Sequence, residues 1–109
     1  MTEDLASRHC VPCHGGVPRL RGAKIGPLAR QLAGWQVVDE HHLEKHFEFT
    51  NFAGALRFAN RVGEVAAREG HHPDICLGWG YALIRLWTHA IDGLSESDFI
   101  LAAKIDALG

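Results

Sequence analysis

From residue 43 to residue 49 apolar and polar positions alternate, with Leu43, Lys45, Phe47 and Phe49 on one side and Glu44, His46 and Glu48 on the other. A period of two predicts a strand with one mostly buried face and one facing water. Residues 35–38 read as its partner across a turn at Asp39-Glu40-His41-His42. Beyond residue 50 the period becomes helical. Phe52, Leu56, Ala59, Val62 and Ala66 recur at helical spacing, Arg57, Arg61, Glu64 and Arg68 lie largely outside, and Thr50 or Asn51 can cap a helix that runs to about Glu69. Residues 75–89 are apolar, aromatic and branched with glycines at 78 and 80, which predicts strand, break, strand. An unbroken strand from His71 to His89 would span roughly 60 Å at about 3.3 Å per residue. A domain of this length has a radius of gyration of only about 13 Å, so the run folds back near Gly80.

The remaining segments complete the order. Residues 27–33 form a short helix with Pro27 in its first turn, Leu28 and Leu32 on one face and Gly34 at its end. After a turn at Asp92-Gly93, Ser95 with Asp98 three residues on resembles a capping arrangement for a last helix carrying Phe99, Ile100, Ala103 and Ile105 to near Leu108. Residues 1–24 show no hydrophobic period and read as an irregular arm packed on a domain of residues 25–109. The order α-β-β-α-β-β-α predicts an α+β fold, a single four-stranded antiparallel sheet with helices packed on one face. The other face and the sheet edges are left for self-association.

Composition narrows the function classes. The 109 residues are 47% hydrophobic with a net charge of −2, so the chain lacks the basic footprint of a nucleic-acid binder. The first residues have neither the basic flank nor the apolar stretch of a signal peptide, and no run reaches a membrane span, which points to the cytoplasm. Three cysteines, an odd number, read as thiols rather than a disulfide framework. Cys10, Cys13 and His14 match the C-x-x-C-H pattern of covalent haem attachment, which goes with export. The same cysteines with His9 or His14 have the spacing of half a zinc site, but a second cysteine pair is missing. A structural or redox-idle pair is the preferred reading.

The candidate chemistry lies in Gly70-His71-His72-Pro73-Asp74. Gly70 suits the left-handed residue that closes a helix, and Pro73 pushes His72 toward extended backbone. Adjacent side chains then point to opposite sides, so His71 and His72 play different parts. With a turn near Gly80, His71 and His89 each stand nine residues from it, and an antiparallel hairpin brings them together. Three imidazoles at one end of a sheet suggest an acid/base site working near neutral pH. His41, His42 and His46 fall at polar positions around the first hairpin and are assigned no role, and His9 goes with the arm.

These residues resemble the signature of the pterin-4a-carbinolamine dehydratase family. His71-His72-Pro73 is followed after five residues by Trp79, after nine more by His89 and after eight more by Asp98. The flanking Gly93-Leu94-Ser95-Glu96-Ser97-Asp98 and the closing Ala102-Ala103-Lys104-Ile105-Asp106 are also similar to it, so the resemblance covers roughly residues 35–106. The Cys-x-x-Cys-x-Gly-Gly-x-Pro stretch looks like the leader of some bacterial members. The resemblance implies dehydration of 4a-hydroxytetrahydropterin to the quinonoid dihydropterin, the recycling step of tetrahydrobiopterin after an aromatic amino acid hydroxylase, with no metal or other cofactor. For that reaction the hairpin argument makes His71 and His89 the acid/base pair and leaves His72, on the other side of the strand, to bind or orient the pterin, while the resemblance implies a homodimer or homotetramer. Trp79 either walls the pocket or packs in the core, and Asp98 either holds a histidine tautomer or caps the last helix. One position departs from the family pattern: four residues before the histidine pair stands Ala67 where the family has an acidic or other polar side chain. That leaves an alternative, a catalytically weak pterin-binding or protein-interaction member, of the kind that serves as a dimerisation cofactor.

Overall fold

Four strands make one antiparallel sheet in the spatial order β1-β2-β4-β3, where β1 is Gln36–Val38, β2 His42–Glu48, β3 Asp74–Gly78 and β4 Tyr81–Leu86. The structure is a computed structural model that describes residues 5–10 and 18–108. Its longest extent is 40 Å, too short for an unbroken strand from His71 to His89. Three helices accompany the sheet: α1 (Gly26–Ala29), α2 (Phe52–Glu69) and α3 (Glu96–Asp106). This is the α+β architecture that the hydrophobic periods predict.

Period-two patterning sets the two faces of the sheet. Leu43 on β2 pairs with Leu86 on β4, Lys45 with Ile84 and Phe47 with Ala82, and Leu43, Ala82, Ile84 and Leu86 are buried. Side chains directly opposite share a face, so these residues form the floor on which the helices pack. Phe58, Val62, Val65 and Ala66 of α2 and Phe99, Ile100, Leu101, Ala102 and Ile105 of α3 complete the core with Leu5 and Ile25. The opposite face carries Glu44 and Arg85, directly paired and bonded at 2.9 Å, with His46 stacked on Tyr81 at 5.5 Å.

Helix α2 begins where a cap side chain is available, since Asn51 Oδ1 accepts the backbone N–H of Gly54 at 2.8 Å. It ends at Gly70, whose φ of +65° is the left-handed conformation expected there. Its buried stripe is rotated from the expected one. Phe52 and Leu56 are 46% and 41% exposed, and Ala55, Phe58 and Val65 are buried in their place. Two apolar stripes run along this helix, and sheet contact selects the one that continues into Val62 and Ala66. Helix α1 is shorter than expected because, past Arg30, the bonds become i to i+3, from Gln31 to Leu28 and from Leu32 to Ala29.

Residues 5–10 of the N-terminal arm are sewn to α2 and α3. Leu5 sits in the core, Lys104 Nζ donates to the Ala6 carbonyl at 2.8 Å, and Arg8 pairs with Glu96 at 2.6 Å. Glu69, whose side chain is only 9% exposed, accepts the Cys10 N–H at 2.8 Å and faces His9 at 3.3 Å and Lys104 at 3.8 Å. The Cys10 N–H above all, helped by His9 and Lys104, holds the Glu69 carboxyl below its ordinary value against the opposing effect of burial. A carboxylate depressed on folding stabilises the fold fully above its unfolded pKa and loses that contribution as pH falls through the lower folded value. Glu69→Gln therefore lowers the urea midpoint at pH 7, and its gap to wild type closes on acidification below about pH 4. Urea titrations across pH 2.5–7 check this, and a gap that stays constant to the acid limit contradicts it.

Candidate active site

The end of α2 delivers His71 in fixed backbone, because its N–H still bonds to the Ala66 carbonyl at 3.1 Å around the left-handed Gly70. The imidazole, 13% exposed, turns toward the first turn of α3, where its Nε2 lies 2.5 Å from Asp98 Oδ1. Asp98 is fully buried. Its second oxygen, Oδ2, accepts the Thr88 hydroxyl at 2.9 Å and the Ser95 backbone N–H at 2.9 Å. The Thr88 proton is spent on Asp98, so the Ser95 hydroxyl donates to Thr88 Oγ1 at 2.7 Å. The capping box predicted from Ser95 and Asp98 is present. Capping and histidine support, posed as alternatives for Asp98, occur together because a carboxylate has two oxygens to share.

This network assigns a tautomer. With Asp98 acting as acceptor throughout, His71 Nε2 carries the hydrogen and Nδ1 is left without a partner among the described residues. A half-buried, anchored imidazole with one nitrogen unpartnered among the described residues is a proton donor or acceptor of fixed direction. His72 is exposed and bonds to none of the described side chains, so the two neighbours differ in environment.

His89 sits elsewhere than the hairpin argument places it. The β3–β4 register pairs Asp74 with Arg85 and Gly78 with Tyr81, which centres the turn between Trp79 and Gly80. Extending that register from Asp74 puts Thr88, not His89, opposite His71. His89 opens a 3₁₀ turn, His89–Ile91, where it is exposed and stacks on Trp87 with ring centroids 4.4 Å apart at 19°. His71 bonds to Asp98 and His89 stacks on Trp87, with no hydrogen bond or ring contact between the two imidazoles. They are joined through Asp98, which bonds His71 with one oxygen and Thr88, the residue before His89, with the other. Trp79 stands at the hairpin tip, 74% exposed, at the far end of β3 from His71. It is not a core residue, because a two-residue turn offers nothing to pack on.

Two histidines to which the sequence gives no role lie beside His89. His41 and His42 make ring contacts with Trp87 at 5.5 and 6.1 Å, and His41 Nε2 lies 2.8 Å from Asp92 Oδ1. The signal for them is the β2–β4 register, which carried one step past Leu43 and Leu86 sets His42 opposite Trp87. The sheet order that creates this pairing is not readable from spacing. Ala67 is exposed on α2 and contributes no polar group, and Glu69 is engaged with the arm instead.

Of the arm's candidate ligands, Cys13 and His14 lie outside the described residues. Cys10 is half-buried with its Sγ 3.4 Å from the Ser97 carbonyl. Burial first, then the Glu69 charge, pushes its thiol up to about 12.

Residues 18–108 match the family described as Pterin 4 alpha carbinolamine dehydratase. A protein of Rubrobacter xylanophilus named for pterin-4-alpha-carbinolamine dehydratase is 62% identical over 105 residues, 96% of this chain and 98% of its own length. One of Alkaliphilus metalliredigens with the same name is 50% identical over 104 residues, covering 94% of each. Among solved structures, the chain is similar to a transcriptional coactivator/pterin dehydratase from Brucella melitensis, with a TM-score of 0.77 and 30% identity over 83% of this chain and 97% of that one. It is also similar to a pterin dehydratase-like protein identified as a RuBisCO assembly factor in the alpha-carboxysome, with a TM-score of 0.59 and 28% identity over 70% of this chain and 89% of that one.

A thiol pushed to about 12 leaves on the order of one Cys10 in ten thousand ionised at pH 8, and the thiolate is the nucleophile. Iodoacetamide at pH 8 followed by peptide mass mapping therefore labels the exposed Cys76 well before Cys10, with Cys10 reacting only on unfolding. Equal labelling rates contradict the arm's docking.

Proposed function

The chain belongs to the pterin-4a-carbinolamine dehydratase family, and on that premise we propose that it dehydrates 4a-hydroxytetrahydropterin to the quinonoid dihydropterin by histidine acid/base catalysis. The observation that carries this reading is the His71–Asp98–Thr88 network, which anchors one imidazole and the residue before a second on a single buried carboxylate. The reaction breaks the C4a–O bond, and the oxygen leaves with the bonding pair and gains a proton to become water. The ring nitrogen N5 gives up its proton, and the electrons of that N–H bond form the C4a=N5 double bond. Proton count is unchanged overall.

His71, through its free Nδ1, takes the N5 proton, and Asp98 holds negative charge beside the imidazolium that forms. His89, exposed on its turn, gives a proton to the leaving hydroxyl. His72, next to His71 on extended backbone, binds or orients the pterin ring. Trp79 lies at the other end of the hairpin from His71, exposed at its tip. Proton transfers between imidazoles and a pterin call on no metal or other cofactor.

The same reading places the protein in the cytoplasm beside an aromatic amino acid hydroxylase that makes its substrate. Among the described residues no helix is long and apolar enough to cross a membrane. Assembly as a homodimer or homotetramer fits the unpaired outer edges of β1 and β3 and the exposed Phe52, Leu56, Ile75 and Trp79. A second reading, a catalytically weak pterin-binding or protein-interaction member, has one observation in its favour. Ala67 leaves the end of α2 without the polar group of the family pattern.

The test follows enzymatically generated 4a-hydroxytetrahydropterin by ultraviolet absorbance. Wild-type protein accelerates its dehydration, and His71→Ala and His89→Ala each remove on the order of 10²-fold or more of that acceleration. A wild-type rate equal to that of buffer overturns the enzyme reading in favour of the second.

A further inference from the structure

The turn that carries His89 is a closed loop held at both ends. Thr88 and Gly93 bridge it, with Thr88 N–H donating to the Gly93 carbonyl at 2.8 Å, and Thr88 is fixed from inside by Asp98. The outer end is Asp92, a residue other than glycine at φ +48° whose N–H closes the turn on the His89 carbonyl at 3.2 Å. Two side chains from distant elements hold Asp92. Arg19 donates to its carbonyl at 3.0 Å, and His41 Nε2 lies 2.8 Å from its carboxylate.

His41 is itself rigidly placed. Asp39 and Glu40 have φ of +52° and +55°, and His41 N–H bonds back to the Val38 carbonyl at 2.9 Å, so it follows a tight turn of the kind that joins adjacent strands. Its ring bonds further, with Nδ1 3.0 Å from Nδ1 of His42. His41 places Nε2 on Asp92 and Nδ1 on His42, so both ring nitrogens are engaged, and His42 Nε2 lies 3.7 Å from Glu44 Oε2. Trp87 touches both rings and provides the surface on which His89 stacks.

We infer that His41 is a positioning residue for the dehydration, holding through Asp92 and Trp87 the turn that presents His89 to the substrate. The inference rests on the role given to His89 above. His41 reaches His89 through Trp87 and Asp92, with no hydrogen bond or ring contact between the two imidazoles. The Asp92 side chain is 82% exposed, so its bond to His41 adds little to global stability. What it fixes is the aim of one imidazole, and proton transfer is sensitive to displacements of about 1 Å.

The experiment is a kinetic and spectroscopic comparison of His41→Ala, Asp92→Ala, their double variant and His41→Gln in the full chain. The expected result is a roughly tenfold or greater fall in kcat for His41→Ala with KM within about twofold and a urea midpoint close to wild type. Asp92→Ala matches it, the double variant loses no more than either single one, and His41→Gln, which keeps an N–H donor, recovers most of the rate. A kcat for His41→Ala within twofold of wild type, or losses that multiply in the double variant, overturns the inference. If wild-type protein shows no dehydratase activity, the functional reading fails separately, and the His89 ring proton resonance decides. Loss of the Trp87 ring-current shift in His41→Ala supports the positioning role, and an unmoved resonance overturns it.

Discussion

A carboxylate taken wholly out of water must be met by donors on both oxygens, or the fold bears the full cost of desolvating it. Asp98 meets that condition with donors from three places: the imidazole that follows α2, the hydroxyl two residues after β4, and the backbone N–H that starts α3. Each donor fixes one element, so the requirement of one buried charge sets the relative positions of the end of α2, the end of β4 and the start of α3. The candidate site is therefore part of the packing of the domain. His71 is held in one orientation before any substrate arrives, which is what acid/base catalysis by a group of fixed tautomer needs.

The sequence was most legible where local chemistry acts alone. The alternation of residues 43–49, the Asn51 cap, the left-handed Gly70 and the Ser95/Asp98 box each follow from a side chain and its near neighbours, and each is where the pattern puts it. It was less legible where a choice between equivalent patterns is made by contact across the fold. The buried stripe of α2 was chosen by the sheet, which left Phe52 and Leu56 exposed. Centring the hairpin turn half a residue early replaced a direct His71–His89 pair by one linked through Thr88 and Asp98. The role of His41 depends on β2 lying beside β4, a long-range adjacency that no spacing encodes.

In the N-terminal arm Cys10 acts through its backbone N–H, which anchors Glu69, and through a thiol held protonated against the Ser97 carbonyl. Glu69 and Ser97 stand directly before Gly70-His71 and Asp98 in the chain, so the arm braces the back of the same network from outside.

Replacing Asp98 by asparagine tests this account most directly, because the amide keeps the shape and one acceptor while setting an N–H₂ group among groups that must donate. The account predicts a folded protein, destabilised by about 1–3 kcal/mol, whose dehydration rate per folded molecule falls by about 10²–10⁴. A folded Asp98→Asn protein that dehydrates 4a-hydroxytetrahydropterin at the wild-type rate would contradict it.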